Sequence, residues 1–356
     1  MRNALVLGVC VSLGCLWGSG AMAQSGAINK AVGGYSFEDA AKEAATTKKD
    51  GKPLTFAIIT HTAGNGFFDP VYVGAQVAAN AFGINLIKLG SEAPMDDIPR
   101  EIQILNQIVN DPTINGVIMT TPQVGAYNDI VKKLEDRGVV VATTNSFDGT
   151  IYDRNNISHT GQDASAAAIG GEAIVKCLIK NNVKGGSILF PNTVSVGNIE
   201  VNNRVTAAFQ ATLKALKAAN RLQDFKVDAG PNNIGVDVPD ITPAPIVQLI
   251  ESRKDVVGLF GPNGGVTPAI GDAVSQLKLN NKVCSYGFDL GPKQLEQIKS
   301  GALMGSLGQQ PFLQGFYPVM QLYLQIDRNV AAANLDTRAQ LVTKDNVDKV
   351  GKRFEN

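Results

Sequence analysis

The sequence predicts an α/β protein with two similar lobes, each built on a mainly parallel sheet. From Pro53 onward, short apolar runs of strand length alternate with longer segments of helical period. This alternation is typical of βαβ units, whose crossovers are right-handed almost without exception. The length of 356 residues favours two domains, and 37 Gly with 16 Pro favour many short, sharply turned connections.

The charge balance and the apolar content exclude two classes of protein. The chain carries 32 Lys+Arg against 32 Asp+Glu, and 44% of its residues are hydrophobic. A nucleic-acid binder shows a basic surplus or stripe, and a disordered chain lacks the apolar residues that a core requires. Neither description fits, so we expect a folded protein with no nucleic-acid partner.

Residues 1–23 have the pattern of a secretory signal peptide. Arg2 supplies the positive start, an apolar run extends from Leu5 to Trp17, and Ala21-Met22-Ala23 forms a small-x-small cleavage pattern. We therefore expect export and cleavage after Ala23. Cleavage removes Arg2, which leaves a net charge of −1 on the exported chain.

Two other interpretations of this segment are less favoured. An uncleaved membrane helix needs about 20 apolar residues, and this run is shorter and interrupted by glycine. The tripeptide Leu13-Gly14-Cys15 partly matches a lipoprotein cleavage motif, but the Ala-x-Ala pattern is better placed.

Two cysteines remain after cleavage, Cys177 in a predicted helix and Cys284 in a predicted strand. Export allows a disulfide without requiring one. We expect two buried free thiols rather than a disulfide, because sequence alone does not place the two backbones within bridging distance.

The first half of the chain predicts four strands connected by three helices, after a polar extension at residues 24–52. Within the extension, Ser36-Phe37-Glu38-Asp39 is a capping-box pattern that favours a short helix up to about Lys48. The predicted strands are 54–60, 85–89, 116–120 and 139–144, and the predicted helices are 70–82, 96–110 and 123–136.

The second half repeats the pattern after a loop at residues 145–156 that is rich in Asp, Asn and Gly. The predicted strands lie near 157, at 187–190, 225–229, 256–260, 283–288 and 303–308, and near 339–343. The predicted helices are 163–180, 199–219, 240–252, 266–277, 292–300 and 312–326.

Polar and aromatic side chains follow the carboxyl ends of the predicted strands, where parallel α/β sheets bind ligands. These residues are His61, Asn65, Phe67, Phe68, Asn145, Asn263, Asp289 and Gln309. Amides and a carboxylate bind hydroxyl groups, and aromatic rings stack on C–H faces. The set suits a neutral polyhydroxy ligand.

Motifs of cofactor binding and catalysis are missing or incomplete. Gly64-x-Gly66 follows the first strand, but Asp69 stands where a dinucleotide-binding fingerprint needs its third glycine. The sequence has no P-loop, no nucleophile elbow and no zinc-ligand spacing, so we expect no cofactor, no metal and no enzymatic activity.

The two histidines and the two phenylalanine rings are each compatible with more than one role. No carboxylate nearby in sequence orients His61 as a general base, so hydrogen bonding or stacking at a pocket wall is the favoured role. His159 is interpreted as a polar residue beside an inter-lobe strand. For Phe67 and Phe68, a core position and a position at the cleft are equally favoured.

The segment 55–89 resembles the ribose-binding-like periplasmic sugar-binding proteins. The similarity lies in Asn65-x-Phe67-Phe68 and in Gly74-Ala75-Gln76 at the first helix, and it continues in Gly287-Phe288-Asp289 and at Gln309. It extends over about residues 53–343. The resemblance implies a type I periplasmic binding protein fold, with two Rossmann-like, doubly wound parallel-sheet lobes joined by a three-segment hinge.

The resemblance also implies a domain division and a function. The N-terminal lobe is expected at 53–162 plus 310–337, and the C-terminal lobe at 163–309 plus 338–356. Such a protein is a periplasmic monomer that captures a neutral monosaccharide or polyol between its lobes and delivers it to the permease of an ABC importer.

Carried over to this chain, the family pattern assigns a role to each candidate residue. His61 and Asn65 line the wall of the N-terminal lobe, Phe67 and Phe68 stack on the sugar ring, and hydroxyl groups are bound by Asn263, Asp289 and Gln309. Thr144-Asn145 stands where ribose binders have an Asp-Arg pair. Arg204 approximates the family's arginine, although it lies five residues before Phe209 where four is usual.

These departures, together with the lack of an aromatic residue between Pro231 and Pro239, indicate a ligand other than plain ribose.

Two other functions are compatible with the same fold. One is an extracytoplasmic ligand-sensing receptor, because Gly64-x-Gly66-Phe67-Phe68 also resembles that branch. The other, less favoured, is an exported sugar-modifying enzyme, which would need an acid/base pair in the cleft.

Overall fold

The computed structural model describes residues 48–49, 51–93, 96–153 and 156–351. The predicted signal peptide and the predicted helix that starts at the capping box lie outside these residues. A short antiparallel pair, Lys48–Lys49 with Lys52–Pro53, precedes the first sheet. Within the described ranges, no helix is long and apolar enough to cross a membrane.

Strands and helices alternate through the chain as the apolar periodicity predicts. The strands are β1 Thr55–Thr60, β2 Asn85–Gly90, β3 Gly116–Met119, β4 Val140–Thr144, β5 Ser158–Gly161, β6 Gly186–Leu189, β7 Phe225–Asp228, β8 Val256–Gly261, β9 Cys284–Phe288, β10 Gly305–Gly308, β11 Leu335–Asp336 and β12 Gln340–Thr343. The helices are α1 Asp69–Phe82, α2 Ile98–Val109, α3 Asn128–Asp136, α4 Ala168–Lys180, α5 Ile199–Ala218, α6 Pro243–Arg253, α7 Val266–Gln276, α8 Pro292–Ser300, α9 Pro311–Arg328 and α10 Val347–Gly351.

The first sheet has the strand order β11-β5-β4-β3-β1-β2, and all its pairings are parallel. Successive residues of β1 enter two different cores, because side chains alternate across a strand. Phe56 and Ile58 pack with residues of α1 and α9, whereas Ala57 and Ile59 pack with residues of α2 and α3. Helices on both faces explain why β1 is a continuous apolar run.

The second sheet has the order β7-β6-β8-β9-β10-β12, with β12 antiparallel to β10 and all other pairs parallel. It is also covered on both faces. Leu259 of β8 packs in the core of α6, α7 and α8, and Phe260 packs in the core of α4 and α5. The prediction of an α/β protein with two parallel-dominated sheets is confirmed.

The chain passes between the two sheets three times: between β5 and α4, between β10 and α9, and between β11 and β12. The second passage depends on close contact of α9 with α1 in the first sheet's layer. A Cβ on Gly74 would lie 2.0 Å from the Phe312 carbonyl oxygen, and one on Gly315 would lie 1.7 Å from that of Val71. Only glycine at both positions permits this backbone contact.

Several predicted boundaries differ from the structure. The predicted helix 123–136 begins only at Asn128, because Gly125 has a φ of 76° and its N–H donates to the Asp148 carboxylate. The predicted helix 163–180 starts as a 3-10 turn before α4. Strand β11 and the short pair Pro191–Asn192 with Val236–Asp237 were not predicted, because two residues carry no periodicity.

The expectation of two free thiols is wrong. Cys177 of α4 and Cys284 of β9 form a disulfide, with Cα atoms 5.9 Å apart. The two residues are 107 positions apart in sequence, and they meet only because α4 packs across β9. Both side chains are buried in the core that α4 shares with the second sheet.

Replacing both Cys177 and Cys284 by alanine is expected to lower the free energy of unfolding by about 4 kcal/mol, because the disulfide closes a loop of roughly 100 residues in the unfolded chain. Urea denaturation of the oxidised protein, the reduced protein and the double variant measures the effect. The reduced protein is the control, because it lacks the bond but keeps both sulfur atoms, and so it separates loss of the bond from loss of side-chain packing. Equal midpoints for oxidised and reduced protein would contradict the bond.

Candidate functional site

A cavity of about 90 Å³ lies between the two sheets at the carboxyl ends of their strands. All nine residues predicted as ligand-binding line it: His61, Asn65, Phe67, Phe68, Asn145, Arg204, Asn263, Asp289 and Gln309. The volume holds several water molecules or one small polar solute. The structure therefore brings the predicted residues together, while their binding of a ligand stays a prediction.

Strand ends position most of these side chains. His61 follows β1, Asn145 follows β4, Asn263 lies after β8, and Asp289 and Gln309 follow β9 and β10. Asn145 and Asp289 have left-handed backbones, with φ of 60° and 72°. Asn and Asp tolerate this region better than most residues, so the chain can turn sharply at the cavity.

His61 is fixed by its neighbours in the first sheet. Its backbone N–H donates to the Thr120 hydroxyl at 2.8 Å, and its Nδ1 lies 2.8 Å from the same oxygen. Its ring meets the Phe68 ring edge-on at 5.3 Å, and its Nε2 is 3.5 Å from Asp96 Oδ1. The sequence indicated no carboxylate near His61; the fold supplies Asp96 from the loop after β2.

The turn before α1 gives different positions to Phe67 and Phe68, the two aromatic residues predicted to bind the ligand. The side chain of Asn65 accepts the Phe67 N–H at 3.0 Å and caps the turn. Phe68 is buried in the core beneath, whereas Phe67 is only partly buried. Their rings meet edge-on at 5.1 Å, so Phe68 supports Phe67 at the cavity wall.

The opposite wall is a connected set of polar groups around Gln309. Its Nε2 donates to the Asp289 carboxylate, and its Oε1 accepts from Arg204 Nη2 at 3.1 Å. The Arg204 guanidinium also lies 4.2 Å from the centre of the Phe288 ring. Arg204 therefore lines the cavity, although its spacing to Phe209 departs from the family pattern.

Gln309 also joins this wall to the hinge. Asn145 Nδ2 lies 3.5 Å from Gln309 Oε1 and donates to Gln314 Oε1 at 3.0 Å. The Gln309 backbone carbonyl accepts from the Thr337 hydroxyl at 2.8 Å. Gln309 and Thr337 belong to two of the three passages between the sheets, so the cavity and the hinge share one hydrogen-bond network.

Burial sets the charge states in the cavity. Burial raises the pKa of Asp289, and this rise is opposed by the Arg204 cation, the Gln309 hydrogen bond and the Gly264 N–H. Burial lowers the pKa of His61 against the opposing effect of Asp96, so the imidazole is neutral at pH 7. The cavity thus combines a carboxylate whose charge Arg204 offsets with a neutral imidazole, an arrangement that suits an uncharged polar solute.

Sequence reasoning missed several polar residues of the cavity. They are Thr62, Asp96, Ser146, Thr193, Asn198 and Asn202. Asp96 was interpreted as the start of a helix, although the loop that carries it follows β2 at the same sheet edge. Asn198 is the N-cap of α5 and accepts the Val201 N–H, a role that a Gly-Asn pair before a helical run could have indicated.

Two hydrogen bonds close the cavity across the two sheets. Asn198 Nδ2 donates to Asp96 Oδ2 at 3.1 Å, and the Ile199 N–H donates to the Pro122 carbonyl at 2.9 Å. Both link the start of α5, which packs on the second sheet, to loops of the first sheet. The structure is thus a closed form of the cleft.

The fold combines two parallel-sheet lobes, three passages between them and a closed polar cleft. This combination defines a binding protein of the periplasmic type. The chain belongs to the periplasmic binding protein family: the sequence model of that domain matches residues 56–329. The resemblance inferred from the sequence is confirmed.

Known proteins of similar sequence and fold carry names of sugar-binding proteins. The chain is 23% identical over 81% of its length to the xylose/arabinose-binding protein XylF of Sulfolobus acidocaldarius, of which it covers 71%. A carbohydrate transporter solute-binding protein of Agrobacterium radiobacter, in complex with D-arabinose, has a TM-score of 0.70 at 23% identity, over 85% of this chain and 98% of that one. A solute-binding protein of Agrobacterium vitis with bound D-fucose has a TM-score of 0.70 at 21% identity, over 84% and 99%.

Proposed function

We propose that the protein captures a neutral monosaccharide or polyol in the cleft and delivers it to an ABC-type importer. The observation that carries the proposal is the cavity itself, which combines amides, a neutral imidazole, a partly buried ring and a carboxylate compensated by Arg204. The sugar-binding names of the similar proteins support it. Binding and release suffice for this role, so it requires no catalytic step.

Each wall of the cavity has a distinct role in the proposal. Asp289 and Gln309 bind ring hydroxyls from the second sheet, because a carboxylate forms charge-assisted hydrogen bonds with them. His61 and Asn65 contact the ligand from the first sheet, and Phe67 stacks on its C–H face. Hydroxyl contacts are completed by Asn145, Arg204 and Asn263.

Closure of two lobes about the hinge completes the proposed mechanism. The lobes are 53–162 plus 310–337 and 163–309 plus 338–356, and a ligand that contacts both favours the closed state. The closed monomer then docks on the membrane permease. In this scheme residues 1–23 export the chain to the periplasm and are removed after Ala23.

A thermal-shift screen of pentoses, hexoses, polyols and inositols on residues 24–356 tests the proposal. A neutral compound from these classes is expected to raise the melting temperature, because a ligand that binds only the folded state stabilises it. Charged sugars such as uronic acids and sugar phosphates serve as controls. Stabilisation by charged compounds alone would contradict a site for neutral solutes.

Replacing Asp289 by asparagine is expected to raise the dissociation constant of the compound found by the screen about 10- to 100-fold. The reason is that hydrogen bonds to a charged group contribute about 1.5–3 kcal/mol each. Isothermal titration calorimetry measures the change. The exposed Asp345, which does not line the cavity, provides the matched control Asp345→Asn. Equal affinity in Asp289→Asn and wild type would show that the site is wrongly assigned.

Asn198→Asp is expected to weaken ligand binding about 10-fold. Aspartate still caps α5, but its carboxylate then faces the Asp96 carboxylate across the cleft and disfavours closure. The double variant Asp96→Asn/Asn198→Asp restores an amide–carboxylate pair and is expected to regain part of the affinity. Calorimetry on the three proteins checks both effects, and unchanged binding by the single variant would exclude this contact from closure.

A further inference from the structure

A chain of hydrogen bonds runs from the cavity into the first lobe beneath His61. Thr120 Oγ1 lies 2.8 Å from His61 Nδ1 and 3.1 Å from Glu101 Oε1. The Tyr127 hydroxyl donates to Glu101 Oε2 at 2.6 Å. Glu101, Thr120 and Tyr127 are each fully buried, and none of the three lines the cavity.

The Thr120 hydroxyl has a single proton to donate in this chain. Its oxygen already accepts the His61 backbone N–H at 2.8 Å. One further acceptor position and one proton then remain to serve both His61 Nδ1 and Glu101 Oε1. The hydroxyl therefore donates to one of these two atoms and accepts from the other.

With His61 neutral, two arrangements satisfy Thr120 Oγ1, His61 Nδ1 and Glu101 Oε1 together, and they differ in the protonation of Glu101. With Glu101 protonated, its proton lies on Oε1, because Oε2 accepts from Tyr127. Thr120 then donates to Nδ1, and His61 carries its proton on Nε2. With Glu101 ionised, Thr120 donates to Oε1, Nδ1–H donates to Thr120, and Nε2 is a bare acceptor.

We propose that Glu101 acts as a positioning residue which selects, through Thr120, the ring nitrogen of His61 that carries the proton. Glu101 thereby decides whether His61 Nε2 offers the cavity a hydrogen-bond donor or an acceptor. The consequence for the ligand rests on the proposed function; the tautomer selection itself does not.

The interconversion of the two arrangements is a relay that releases one proton. The proton leaves His61 at Nε2 into the cavity, the Thr120 proton moves to Nδ1, and the Glu101 proton moves from Oε1 to Thr120 Oγ1. His61 remains neutral, and the negative charge appears on Glu101. The buried carboxyl group therefore needs no direct contact with solvent to ionise.

The surrounding charges place this change in an accessible pH range. Burial raises the pKa of Glu101 to about 8, opposed by the hydrogen bonds from Tyr127 and Thr120 and supported by the negative charge of Asp96. Burial raises the pKa of Tyr72 to about 12, and burial together with Glu101 raises that of Tyr127, which also faces Asp96 and Asp148.

Neither tyrosine ionises between pH 7 and 10, and His61, whose pKa burial lowers from its ordinary value, is neutral in that range. Below pH 8 the Nε2–H form predominates and can donate to Asp96, 3.5 Å away, or to a ligand oxygen that has no proton of its own. Above pH 8 the Nδ1–H form predominates, and Nε2 accepts from a ligand hydroxyl.

Long-range ¹H–¹⁵N correlation spectra of the ligand-free protein test the proposal, since the chain has only two histidines, His61 and His159. His61 is expected to change from the Nε2–H to the Nδ1–H tautomer with a midpoint near pH 8. In Glu101→Gln, the amide donates to Thr120 at every pH, so His61 is expected to keep the Nε2–H form from pH 7 to 10.

His159 provides the internal control, because its Nδ1 contacts Thr143 in a separate part of the lobe. Its tautomer is expected to be the same in wild type and variant. A single His61 tautomer from pH 7 to 10 in the wild type, or the same change in Glu101→Gln, would overturn the proposal. Because no ligand is present, either result leaves the sugar-binding proposal to its own tests.

Discussion

Gln309 is the residue on which the cleft and the hinge both depend. Its side-chain amide nitrogen donates to Asp289, its side-chain amide oxygen accepts from Arg204, and its backbone carbonyl accepts from Thr337 on a neighbouring passage. Gln309 is 2% exposed, so each of these polar groups needs its partner inside the protein. One residue thereby couples the shape of the cavity to the segments that connect the two sheets.

The alternation of strands and helices and the polar residues at strand ends were predictable from the sequence. The continuous apolar run of β1 indicates a strand that is buried on both faces. In a parallel sheet, the residues that follow the strands lie at one edge. That rule places His61 and Asn145 at one edge of the first sheet and Asp289 and Gln309 at one edge of the second, and the two edges face each other across the cavity. Apolar periodicity predicts the order of strands and helices, whereas the three-segment hinge between the two sheets was implied only by the family resemblance.

What the sequence did not predict depends on packing between distant elements. Cys177 and Cys284 meet because α4 crosses β9, and no local pattern records that contact. Asp96 and Asn198 lie 102 positions apart in sequence and meet across the cleft. Glu101 resembles any polar residue of an amphipathic helix, and only the fold shows that it is fully buried behind His61.

The central claim is that one neutral polar ligand is held by both lobes at once. A crystal structure of residues 24–356 with the compound found by screening measures this most directly. The account predicts ligand oxygens about 3 Å from Asp289 on one lobe and from His61 or Asn65 on the other. A ligand that contacts only one lobe, or that lies outside the cleft, would contradict it.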